Sequence, residues 1–141
     1  MDTTIIHPAM VHFPIALLSA GFAADLGAMI TRKELCFSKL GLYLIILGFL
    51  GALAAFTTGF FLTGDLEGDA GIAKEKHELF AILTIVAVTL TLAFRIFLVK
   101  KQMEETNLKF ISLGLTIITV GLVLYTAFLG GGIVWNFMIG I

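Results

Sequence analysis

Four stretches of the chain, roughly Met10–Ile30, Leu40–Leu62, His77–Val99 and Leu108–Leu129, are nearly unbroken runs of apolar residues. Each is about the 20 residues that cross a hydrocarbon core as a helix. The intervals between them are polar and short, so successive helices are expected to be antiparallel neighbours. The pattern predicts an all-α fold: an integral membrane four-helix up-down bundle, a single transmembrane domain over residues 1–141.

Composition agrees with that pattern. Of the 141 residues, 59% are hydrophobic and 13% charged, so lipid is the expected solvent for the fold and the lipid bilayer its first partner. A formal net charge of −1 gives no basic excess for nucleic acid. The residues after Met1 lack the positive region and small-residue cleavage site of a signal peptide, so the first helix is expected to be retained. Basic residues set the orientation. Arg32, Lys33 and Lys39 border the first turn, and Arg95, Lys100, Lys101 and Lys109 the third, whereas the middle connection has Lys74 and Lys76 against Asp65, Glu67, Asp69 and Glu75. The positive-inside rule then places this connection and both termini on the outer, periplasmic side of a bacterial inner membrane. Trp135 and Tyr125 suit the interfacial aromatic belt.

The two halves resemble each other weakly. Each opens with a histidine at a helix start, His12 or His77, passes a basic turn and ends in a Gly-containing tail, Phe61-Leu62-Thr63-Gly64 or Phe128-Leu129-Gly130-Gly131. Read as a duplication, they form two tandem helical hairpins related by a pseudo-twofold axis, with His12 and His77 facing each other across it. Span two is rich in small residues, Gly41, Gly48, Gly51, Ala52, Ala54, Ala55 and Gly59, which permit close helix approach or leave room for a planar ligand.

Candidate chemistry rests on few residues. Cys36 is the single cysteine, which excludes an intramolecular disulfide and a Cys-based metal site. All three histidines, His7, His12 and His77, fall at the outer end. Neutral imidazoles bind haem iron and other metals. Three readings are open: ordinary polar residues of the headgroup region with no cofactor; haem b held by His12 and His77 with His7 in reserve; or copper or zinc on two or three of the histidines, His12 and His77 first, with Glu78 or Glu67. Pro8 starts a helix well and Pro14 bends one, which would free the Met10 carbonyl. A haem here would be shielded by Phe13, Phe60, Phe61 and Phe80. Asp25, the acid deep in span one, is expected to form a structural ion pair with Arg95. The alternative, a proton relay, has only Ser19, Thr57 and Thr58 to draw on along the first two spans. No nucleophile–base pair, phosphate loop or paired-carboxylate arrangement is present.

The run His7-Pro8-Ala9-Met10-Val11-His12-Phe13-Pro14-Ile15-Ala16-Leu17, followed by Asp25, His77 and Gly131-Gly132-Ile133-Val134-Trp135, resembles a bacterial family of small four-helix membrane proteins catalogued as a domain of unknown function. The His-Pro-x-x-Val-His-Phe-Pro run is its most specific part, and Trp135 stands where the family pattern has tyrosine. The resemblance spans nearly the whole chain and implies no established activity. It implies a setting among cytochromes and other subunits of respiratory or photosynthetic membrane complexes. The combined expectation is a haem- or metal-binding redox subunit, or a cofactor-free structural subunit of such a complex.

Overall fold

The computed structural model describes residues 6–31, 34–104 and 106–137, without the side chain of Glu34. Arg32 and Lys33 of the first basic turn lie outside the described residues. The described chain is helical almost throughout: α1 (Ile6–Met10), α2 (His12–Ile30), α3 (Glu34–Leu62), α4 (Gly68–Lys101) and α5 (Leu108–Phe137). With α1 and α2 taken together, four helical segments are long and apolar enough to span a membrane. The helices exceed the apolar runs, most of all in α4, which begins nine residues before His77 in a stretch carrying Asp69, Lys74, Glu75 and Lys76. Hydropathy marks the part of a helix that meets hydrocarbon, and backbone hydrogen bonding continues beyond it.

Local chemistry sets the breaks. Pro14 has no N–H for the Met10 carbonyl, and α1 ends at Met10 with Val11 N donating to His7 O at 3.2 Å. Thr31 closes α2, its amide and hydroxyl both donating to Gly27 O at 3.0 and 2.9 Å. Gln102 takes a left-handed conformation, φ 56°, and Met103 N returns to Leu98 O at 2.9 Å, a Schellman-type stop for α4.

Each helix packs most extensively on its hairpin partner, α2 on α3 and α4 on α5. Smaller contacts, α2 with α5 and α3 with α4, close the bundle and leave α2 and α4 on one diagonal. The buried positions of the two hairpins correspond. On α2, Pro14, Leu18, Gly21, Asp25 and Ala28 match Thr84, Val88, Thr91, Arg95 and Leu98 on α4 at a constant offset of 70 residues. On α3, Gly41, Ile45, Gly48 and Ala52 match Ser112, Thr116, Thr119 and Val123 on α5 at an offset of 71. A constant register on both helices of each hairpin is what a pseudo-twofold axis through the bundle requires. The register differs from the one expected from the sequence: His77 corresponds to His7, not His12, and Gly130 to Gly59.

The hairpins adhere differently although their positions correspond. In the first, glycines let backbones approach: a methyl on Gly48 would fall 2.7 Å from Leu18 Cδ2, and one on Gly21 3.2 Å from Ile45 Cγ1. In the second, hydroxyls bridge the helices, Thr91 to Thr119 at 2.8 Å and Thr84 to Thr126 at 3.0 Å. Both are ways to join helices where lipid removes the hydrophobic drive between them. Leu18, Ile45, Val88, Val120 and Val123 form the apolar centre. Polar pairs lie on either side of it along the bundle.

Candidate functional site

At the end of the bundle where Ile6 and Phe137 lie, His7 and His77 approach each other across the axis. Their ring centroids are 6.3 Å apart and their planes cross at 76°. Each ring is held by the other helix of its own hairpin: His7 Nδ1 lies 3.0 Å from Ala55 O on α3, and His77 Nδ1 3.0 Å from Thr126 O on α5. A carbonyl only accepts, so the proton of each neutral ring sits on Nδ1 and the lone pair on Nε2. In each ring Cε1, the carbon between the two nitrogens, is the atom nearest the glycine of its anchoring helix, Gly59 or Gly130. His7 has a further neighbour, Thr58 Oγ1 at 3.2 Å from Nδ1, which itself donates to Ala55 O at 2.9 Å.

Room for the imidazoles comes from two corresponding glycines. A methyl on Gly59 would fall 2.8 Å from His7 Cε1, and one on Gly130 2.9 Å from His77 Cε1. Ala55 and Thr126, four residues earlier on the same helices, supply the accepting carbonyls. One turn of α3 and one of α5 therefore form matching seats, each with a carbonyl and a glycine.

Apolar cavities flank the pair, and both histidines line both of them. The shallower, about 240 Å³, is bounded by Phe56, Phe60, Thr63, Leu66, Lys74 and Glu78 among others. The deeper, about 390 Å³, reaches Pro14, Ala52, Thr84 and Val123, with Trp135 and His12 at its rim. Thr84 is ten residues beyond Lys74 on α4, about 15 Å farther into the bundle at the helical rise.

His12 does not face His77. It is exposed, and its Nδ1 donates to Pro8 O at 2.7 Å, one turn back. His7 and His12 are five residues apart, about 140° around a helix of 3.6 residues per turn, and Val11 between them keeps helical dihedrals, so with His7 inward His12 falls on the outside. The aromatic shield also differs from expectation. Phe13, Phe61 and Phe80 line neither cavity; Phe60 lines one, and Phe56 lines both. Phe80 stacks instead edge-on against Tyr125 at 4.6 Å. Glu78 borders the shallow cavity 3.4 Å from Lys74 Nζ, and Glu67, at the residue preceding α4 with no capping side-chain bond, lines neither cavity. Among the described residues no group of three His, Cys, Asp or Glu side chains is placed to hold a metal ion.

Toward the other end, Arg95 Nη1 donates to both oxygens of Asp25, and Thr116 Oγ1 donates to Asp25 Oδ2 at 3.3 Å. Arg95 Nη2 donates to Ser38 O at 2.8 Å. Asp25 and Arg95 occupy corresponding positions of the repeat and are 7% and 6% exposed, so the pair closes on the axis itself. Of the residues considered for a relay, Thr57 and Thr58 donate to carbonyls of their own helix, α3, and Thr58 also lies beside His7 Nδ1. The buried hydroxyls among the described residues, Thr84, Thr91, Ser112, Thr116 and Thr119, lie on the second hairpin, and Val88 and Val123 interrupt their column.

One signal in the sequence pointed to the correct pairing. From His7 to Asp25 and from His77 to Arg95 the separation is 18 residues in both cases.

Over residues 3–141 the chain matches the family of predicted membrane proteins designated DUF2231, and it belongs to that family. No curated protein and no solved structure matches it.

Proposed function

We propose that this member of the DUF2231 family is a membrane redox subunit that holds haem b between His7 and His77. The observation that carries the reading is the imidazole pair. Two imidazoles on opposite sides of one metal ion, at about 2 Å per metal–nitrogen bond and about 1 Å from nitrogen to ring centre, have centroids about 6 Å apart; here they are 6.3 Å apart. Each ring carries its proton on the nitrogen that a backbone carbonyl accepts, the usual support for a ligating histidine. Two nitrogen donors without a third protein ligand suit an iron whose other positions are taken by a macrocycle; zinc and copper sites take more ligands from the protein. The flanking cavities leave apolar space on either side for such a ring system.

Haem in this position would supply one-electron chemistry. The chain's own part is to fix both imidazoles, exclude water with Phe56, Ala52 and Val123, and present the site at one membrane face. The distribution of basic residues supports an inner-membrane setting with that face outward, toward a cytochrome or another membrane-complex subunit.

The test is the absorption spectrum of protein purified in mild detergent after expression with ample haem supply, oxidised and then dithionite-reduced. Wild type and His12→Ala should show a Soret band and sharp reduced α and β bands. His7→Ala and His77→Ala should each lose that spectrum. If both variants keep it, the ligand assignment is wrong. A folded, colourless wild type that takes up no added haemin would favour a cofactor-free structural subunit.

A further inference from the structure

The two cavities differ in a way that gives the proposed ligand a direction. The cavities lie on opposite flanks of the imidazole pair, so a planar group lying across the line between the rings enters both. The cavity bordered by α2 and α5 reaches inward to Pro14, Ala52 and Val123, with no lysine or arginine among the lining residues. The cavity bordered by α3 and α4 is lined toward the aqueous end by Thr63, Gly64, Lys74 and Glu78. Among the described residues Lys74 is the only lysine or arginine lining either cavity. It lies three residues before His77 on α4, on the same face and one turn nearer the aqueous end.

We propose that Lys74 anchors the carboxylate edge of the ligand held between His7 and His77, so that the site selects an acidic, amphipathic tetrapyrrole with its carboxylates toward the aqueous face. This rests on the haem reading above. The side chain of Lys74 is only 17% exposed, which is unusual for an ammonium group with an aqueous surface within reach. Its present partners are exchangeable. Gly64 O accepts from Nζ at 2.8 Å, Glu78 lies at 3.4 Å with its side chain 49% exposed, and Asp65 at 3.9 Å is fully exposed. Both carboxylates can turn into water at little cost, because exposed pairs of this kind are weak. A ligand carboxylate in the cavity would be more shielded and would make the stronger charge-assisted contact.

The experiment titrates full-length, haem-free protein in detergent with haemin and, separately, with haemin dimethyl ester, whose carboxylates are blocked. Wild type should bind haemin about tenfold more tightly than the ester, the scale of one hydrogen bond to a charged group. Lys74→Met should reduce that preference below about twofold with the bis-histidine spectrum unchanged, and Lys74→Arg should restore most of it. Equal binding of the two compounds by wild type, or full discrimination by Lys74→Met, overturns the anchoring role and leaves the haem reading standing. Failure of wild type to bind either compound overturns both, and loss of binding in His7→Ala and His77→Ala separates ligation from anchoring.

Discussion

Replacing Asp25 by leucine should be among the most damaging changes in this chain, and replacing Arg95 along with it should repair most of the damage. In Asp25→Leu the Arg95 guanidinium, 6% exposed, loses both bonds from Nη1 and keeps only Ser38. In Arg95→Met the Asp25 carboxylate, 7% exposed, keeps only Thr116 at 3.3 Å. Leaving one partner of a buried pair uncompensated costs about 3–5 kcal/mol. The double variant Asp25→Leu/Arg95→Met leaves no stranded charge and nearly conserves volume. It should cost less than about 1.5 kcal/mol. The coupling should therefore amount to several kcal/mol, far above the few tenths by which independent sites depart from additivity. The assay is reversible unfolding in mixed micelles by titration with dodecyl sulfate, following helicity, for wild type, both single variants and the double. Single variants that each cost less than about 1 kcal/mol, or a double variant whose cost equals the sum of the singles, would refute the argument that this pair is a desolvated, mutually dependent unit.

Two further outcomes follow from the same geometry. Gly130→Ala places a methyl 2.9 Å from His77 Cε1 and should displace the ring from Thr126 O, lowering haemin affinity by about tenfold or more, whereas Gly114→Ala, with nothing within 4 Å, should leave titration unchanged. Cys36, exposed near the start of α3 at the end remote from the histidines, should react with a membrane-impermeant maleimide only after the cells are permeabilised; labelling of intact spheroplasts would reverse the orientation assigned from the basic residues.

The sequence alone determined that the chain is a four-helix membrane bundle, because each span is a local property: enough consecutive apolar residues to cross hydrocarbon, interrupted by polar turns. Asp25 and Arg95 were also legible, since two opposite charges at similar depth have few other partners in lipid. What the sequence left open was rotation. In a soluble helix the apolar stripe announces the inward face, but these helices are apolar all round, and lipid solvates Leu or Phe as well as a protein core does. Hydropathy therefore could not say that α2 turns His12 outward, nor that Phe56 rather than Phe13, Phe61 or Phe80 meets the cavities. The Gly59 and Gly130 seats and the packing of the helices decided those matters, through steric room. Only the assembled bundle put His7 opposite His77, because that contact joins two hairpins whose relative placement rests on α2 against α5, α3 against α4 and the Asp25–Arg95 pair.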